Sequence, residues 1–175
     1  ETSTNDMVLL LASGESGVHI GEDDYREFVA ALRAVCLELA LAIVKGGEGA
    51  TKLVGITVTG ARSKADARQG ARAIPNSPPL KTAIHGGDPN WGRLIAAAGR
   101  AGVAFDSTRA VVRIGDTILF KHGHPFDEAS PVAASYLRGT DIEIHVDFGV
   151  GTYEATVWTC DLSAEYVRIN SEYRT

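Results

Sequence analysis

Apolar and polar residues follow each other along this chain in two different periods, and the changes of period outline its elements. Met7 to Ala12, MVLLLA, is a short unbroken apolar run closed by SGESG, which reads as a buried strand. Over residues 23–47 the apolar positions fall at Phe28, Val29, Leu32, Val35, Leu37, Leu39, Ile43 and Val44. The stretch is rich in alanine and leucine, opens with acids and ends in glycines. That predicts a long helix whose N-terminal dipole is met by acids and whose end is stopped by Gly46. TKLVGITVTGA, residues 51–61, is β-branched and reads as a strand. SKADARQGARAI reads as a second, polar-faced helix capped by Ser63 and broken by PNSPP.

The second half alternates more evenly. Residues 90–101 predict a helix with Pro89 in its first turn. RAVVRIGDTILFKHG, residues 109–123, predicts a hairpin turning at Gly115-Asp116, the Gly-X order of a type II′ turn. FDEASPVAASYLRG predicts a helix with Pro131 early. Residues 140–161 give two alternating strands around Gly149 and Gly151, and LSAEYVRINSEYRT ends the chain as a short helix and a docked tail. Helices mixed with strands and hairpins imply an α/β (α+β layered) fold.

Composition narrows the class. At 175 residues the chain has the length of one domain, with room for two small lobes. Hydrophobic residues are 45% and charged residues 22%, enough for a real core. A net charge of −5 gives no electrostatic footprint for nucleic acid. No apolar run approaches the roughly 18 residues of a membrane span, and no signal peptide is visible. Cys36 and Cys160 sit among apolar neighbours and read as reduced core residues rather than as a disulfide. An apolar run that begins so soon after Glu1 is expected of a chain cut from something longer; an expression boundary would read the same.

Four stretches invite chemistry. In KGGEGATKL, Glu48 is flanked by Gly47 and Gly49. The stretch superficially resembles a phosphate loop, but a P-loop follows a strand and opens a helix, whereas here helix precedes and strand follows. A helix C-cap with a solvated Glu48 is the structural alternative. HGGDPNWGR offers His85 and Asp88 as metal ligands, with His122 and His124 beyond, but no pair has zinc-type spacing. A turn at Gly86-Gly87, a helix capped by Asp88 and a packed Trp91 account for it better. TSTND contains Thr2, which would become an N-terminal nucleophile only if Glu1 were removed; a polar turn is the plainer reading. VRINSEYRT carries Tyr166, Val167, Ile169 and Tyr173 as anchors able to present Asn170, Thr175 and the terminal carboxylate to a pocket.

Taken in order, TSTNDMVLLLASG, GGEGATKLVGITVTGA, NSPPLKTAIHGGDPNWGRLIAAAGR and CDLSAEYVRINSEYRT resemble the C-terminal part of the β chain of the ornithine acetyltransferase (glutamate N-acetyltransferase) family of arginine biosynthesis. The resemblance runs from Thr2 to Thr175 and is weakest at 15–45 and 102–140. It implies mixed sheets packed between helices, with 1–101 in an αββα-type catalytic lobe. Residues 102–175 would form a smaller α+β lobe and a tail returning to the active site.

The same resemblance implies a cytoplasmic enzyme without cofactor or metal, whose precursor cleaves itself before a threonine into α and β chains that stay associated as α2β2. That threonine takes acetyl from N-acetylornithine and passes it to glutamate; some members also accept acetyl-CoA. Its Ala-Thr-Met-Leu-like stretch is absent here, so the nucleophile is expected upstream of Glu1, and the oxyanion donors and a substrate lysine in the α chain. Three substrate-binding positions carry over: Glu48, Asn170 and Thr175. Departures fall at Glu1, where the family has Asp, at Met7, where it has Thr, and at the second proline of NSPPLKTA. The alternatives are an amidohydrolase or aminopeptidase relative on the same fold, a paralogue serving a specialised pathway, and a non-catalytic amino-acid-binding domain.

Overall fold

The computed structural model describes residues 7–172. They fall into two compact units, Glu1–Glu38 and Leu39–Thr175. In the first, residues 7–21 form no helix or strand, only a turn closed by Gly17 N–H on the Gly14 carbonyl at 3.1 Å. The buried strand expected at Met7–Ala12 is therefore not formed, and Val8 is 91% exposed. Apolar content creates a demand for burial, but a strand also needs a ladder partner. Among the described residues this run has none. Helix α1 spans Tyr25–Lys45, as its periodicity predicts, yet none of its residues is buried. Cys36, expected in the core, is exposed; Cys160 is half-buried, and both are free thiols.

The second unit is built on one mixed sheet. Its elements are β1 (Leu53–Ala61), α2 (Lys64–Ala73), α3 (Pro78–Gly86), α4 (Trp91–Gly99), β2 (Val111–Ile114) and β3 (Thr117–Lys121). They continue with β4 (His124–Pro125), a 3-10 turn (Asp127–Ala129), α5 (Ser130–Tyr136), β5 (Asp141–Asp147), β6 (Tyr153–Cys160) and α6 (Ala164–Glu172). The spatial order is β4-β3-β2-β5-β1-β6. β1 runs parallel to β5, with Ile56 beside Ile144, and antiparallel to β6, with Ile56 beside Val157. β5 and β6, adjacent in sequence, are thus separated by β1. The sheet also joins strands from either side of residues 101/102, while the compact units divide at 38/39.

Alternation places the core. Val54, Ile56 and Val58 of β1, Ile142, Ile144 and Val146 of β5, and Val112 and Ile114 of β2 are all buried. Ala67, Gly70 and Ala71 of α2, Leu80 and Ile84 of α3, and Leu94, Ala97 and Ala98 of α4 are buried as well. Ser63 caps α2 as expected, accepting from the Asp66 N–H at 3.0 Å. The hairpin turns at Gly115, φ 54°, with Asp116 outside the positive-φ region, the sign pattern of a type II′ turn.

Two local expectations need correction. PNSPP does end α2, but Pro78 and Pro79 also occupy the first positions of α3, which sequence reading missed. Proline lacks only a donor that the first turn leaves unpaired, and its fixed φ suits that turn. α4 is capped not by Asp88 but by Asn90, whose side chain accepts from the Arg93 N–H at 3.1 Å; Pro89 lies before the cap. Asp88 instead accepts from the Asn90 amide. Trp91 does pack, stacking on Phe120 at 5.1 Å.

Candidate functional site

The glycine-flanked acid stands where α1 gives way to β1. Gly46 N–H closes the last turn of α1 on the Ala42 carbonyl, and Ala50 N–H then donates back to the Gly47 carbonyl at 3.0 Å. Glu48 sits at the apex of this corner, exposed to solvent. Gly49 follows at φ 68°. A Cβ there would overlap the backbone nitrogen of Tyr166 and stand 2.9 Å from Ser163 Oγ. Only glycine permits so close an approach, and what it admits is the start of α6.

Ser163 makes the join. Its hydroxyl donates to the Gly49 carbonyl at 2.6 Å and accepts from the Tyr166 N–H at 3.2 Å. The serine thereby caps the first turn of α6 while binding the corner. Asn170 lies four residues beyond Tyr166 on the same face of α6. Its Nδ2 donates to the Tyr166 carbonyl at 2.9 Å and to Glu48 Oε2 at 2.9 Å. Two expected site residues, 122 positions apart in sequence, are thus in direct contact. Thr175, the third, lies outside the described residues, as does Thr2.

Beneath the corner is a charged cluster that sequence reading missed. Asp161 is only 3% exposed. Its Oδ1 accepts from the backbone N–H groups of Thr51 at 2.8 Å and Lys52 at 2.9 Å. Its Oδ2 accepts from Thr51 Oγ1 at 2.6 Å and meets His85 Nδ1 at 2.6 Å. Burial pushes the Asp161 carboxyl up, but the hydrogen bonds from Thr51, His85 and Lys52 outweigh it and hold the group below its ordinary value. Asp161 is therefore a carboxylate, and a carboxylate only accepts, so His85 Nδ1 carries the proton between them.

The Lys52 ammonium donates to the Ile84 carbonyl at 2.8 Å and also to that of Leu137, at the C-terminal ends of α3 and α5. Burial lowers its pKa, and the Asp161 charge opposes that shift. His85 is thus engaged with Asp161, while His122 and His124 lie exposed about the β3–β4 turn. Among the described residues no group of three or more His, Cys, Asp or Glu is placed to hold a metal ion.

Of this cluster, His85 is weighed in the sequence as a metal ligand, and Asp161 stands in CDLS, a lone aspartate just after a strand. Nothing in sequence periodicity links it to residues 51, 52 and 85.

The sequence profile described as the ArgJ family matches residues 1–175. The chain belongs to the ArgJ family. It is 47% identical to the arginine biosynthesis bifunctional protein ArgJ of Ruegeria pomeroyi, with all of this chain and 43% of that protein aligned. It is 46% identical to a glutamate N-acetyltransferase of Methanopyrus kandleri, again over all of this chain and 46% of that protein. The chain therefore spans less than half the length of these ArgJ-family relatives. The crystal structure of arginine biosynthesis bifunctional protein argJ from Bacillus halodurans superposes with a TM-score of 0.93 at 38% identity, covering 99% of this chain and 83% of that chain. The α/β fold expected from the resemblance is thus the ArgJ fold. No helix among the described residues is long and apolar enough to cross a membrane.

Proposed function

We propose that this chain is the β-chain portion of a glutamate N-acetyltransferase (ornithine acetyltransferase). In the whole protein, acetyl would pass from N-acetylornithine to glutamate through an acetyl-threonine on a segment preceding Glu1, with acetyl-CoA as a further donor. This chain supplies no nucleophile; it supplies grip on the amino acid. Its partners are the α chain of the same precursor and a second αβ unit in an α2β2 assembly, and it works in the cytoplasm without cofactor.

The observation that carries this reading is the 2.9 Å contact between Asn170 and Glu48. Among the described residues the second oxygen of Glu48, Oε1, has no hydrogen-bond partner and can take a substrate ammonium, and the glycines on either side keep backbone bulk away from it. Asn170 has both Nδ2 hydrogens engaged, one on Tyr166 and one on Glu48. An arriving amino acid exchanges partners: its ammonium takes the Glu48 carboxylate, and the released Asn170 N–H turns to its α-carboxylate. Thr175, outside the described residues, is the third substrate-binding residue in this proposal. Alignment of the amine against the acetyl-enzyme is where the rate gain arises.

Glu48→Gln in the complete enzyme tests the assignment. It keeps the shape and the acceptor for Asn170 but loses the charge that holds an ammonium. Charge-assisted hydrogen bonds contribute about 1.5–3 kcal/mol, so kcat/KM for ornithine and glutamate should each fall by roughly 10- to 100-fold. Near-normal values for both half-reactions would refute it.

A further inference from the structure

Four donors converge on the Asp161 carboxylate: the N–H of Thr51, the N–H of Lys52, the Thr51 hydroxyl and His85 Nδ1–H. An ionised carboxylate offers about four lone-pair positions and no proton, so it satisfies all four donors at once. An asparagine of the same size would turn an NH2 group toward one pair of them. The chemistry of the cluster thus demands a charge, in a place where the residue is 3% exposed. A buried charge is retained where its partners need it.

What those partners are attached to gives the charge its use. Thr51 and Lys52 directly follow the corner that carries Glu48. Asp161 lies two residues before Ser163, the cap of α6, and α6 carries Asn170. His85 comes from the last turn of α3 and holds the carboxylate from the far side. The Ser163 hydroxyl adds a second tie, to Gly49. Remove the carboxylate, and among the described residues the Ser163–Gly49 and Asn170–Glu48 bonds are the side-chain hydrogen bonds left between the corner and α6, beside the packing of Gly49 on Tyr166.

We propose that Asp161, oriented by His85, is a positioning residue that fixes the Glu48 corner against α6 and so sets the substrate-holding pair in register. The proposal rests on the reading that Glu48 and Asn170 hold the amino acid. Asp161 touches no substrate in it; it acts through Glu48.

The test is a double-mutant cycle in the complete enzyme with Asp161→Asn and Glu48→Gln. Asp161→Asn alone should lower kcat/KM for ornithine and glutamate on the order of 10- to 100-fold, the range that a misplaced binding group causes. On the Glu48→Gln background the same substitution should add little, because the group it positions is already disabled. Effects that multiply in the double variant would mark a separate, merely structural role and overturn the proposal.

His85 gives a gentler handle should Asp161→Asn fold poorly. His85→Asn, which retains a donor, should preserve more activity than His85→Leu; equal losses would count against the orienting role. If Glu48→Gln alone leaves transfer untouched, the substrate reading is what fails. A crystal structure of the Asp161→Asn enzyme then still decides the positioning claim. Glu48 and Asn170 drawn apart support it, and a contact retained at hydrogen-bond distance sinks it.

Discussion

At the scale of single residues, the site depends on two kinds of exception, a glycine that no other residue replaces and a buried charge that no neutral residue replaces. Gly49 is the sharper case. Its φ of 68° and the approach of Tyr166 and Ser163 leave no room for a methyl group. Gly49→Ala should cost about 1–3 kcal/mol from backbone strain alone, with further loss as α6 is pushed off the corner. Denaturant unfolding of the complete enzyme reads the first effect, and KM for the amino-acid substrates reads the second. An alanine variant with unchanged stability and KM would mean that the corner and α6 are not locked as described. Glu48 and Gly49 could be singled out in the sequence because an acid between glycines breaks local rules. Asp161 could not, since its donors come from residues about 110 and 76 positions away. An aspartate at the end of a strand looks the same whether it faces water or four donors.

At the scale of elements, periodicity located most of the helices and strands but not their neighbours. β5 and β6 were legible as alternating strands, yet their insertion on both sides of β1 was not, because alternation specifies a buried face and leaves the lateral partner open. α3 was obscured by the same prolines that begin it. Close packing adds a constraint visible only in three dimensions. Gly70, inside α2, faces the Phe148 ring so closely that a Cβ would lie 2.5 Å from Cε2 and Cζ. Helix propensity favours alanine over glycine by about 1 kcal/mol. Overpacking of a core costs typically about 1–3 kcal/mol and should win here, since Phe148 is fully buried, 0% exposed, and has nowhere to move. Gly70→Ala is thus expected to lower the stability of the complete enzyme. A raised denaturation midpoint would show that propensity outweighs the clash and that the α2–sheet contact is looser than drawn.

At the scale of the whole molecule, the residues that fail to find a core matter most. Leu9, Leu10 and Leu11 are 73%, 73% and 88% exposed, and Val35, Leu39 and Ile43 of α1 are 53%, 60% and 65% exposed. Ordinary monomers scatter single apolar side chains over the surface; runs of them signal a surface that another polypeptide covers. The buried strand expected at residues 7–12 is not formed, and the helix expected over residues 23–47 forms at Tyr25–Lys45 without burying any of its residues. In the relatives from Ruegeria pomeroyi and Methanopyrus kandleri the part aligned with this chain is 43% and 46% of the length, so more than half of each lies outside it. The proposed α-chain partner therefore predicts a contrast in behaviour. The 175-residue chain produced alone should bind an apolar-surface dye such as ANS strongly and self-associate in gel filtration. The same residues produced within the proposed precursor should do neither, and mass spectrometry should find two chains in the purified complex, one ending just before the threonine and one that starts at it and contains these residues. A chain that stays monomeric and dye-free on its own would show that these apolar runs are satisfied internally.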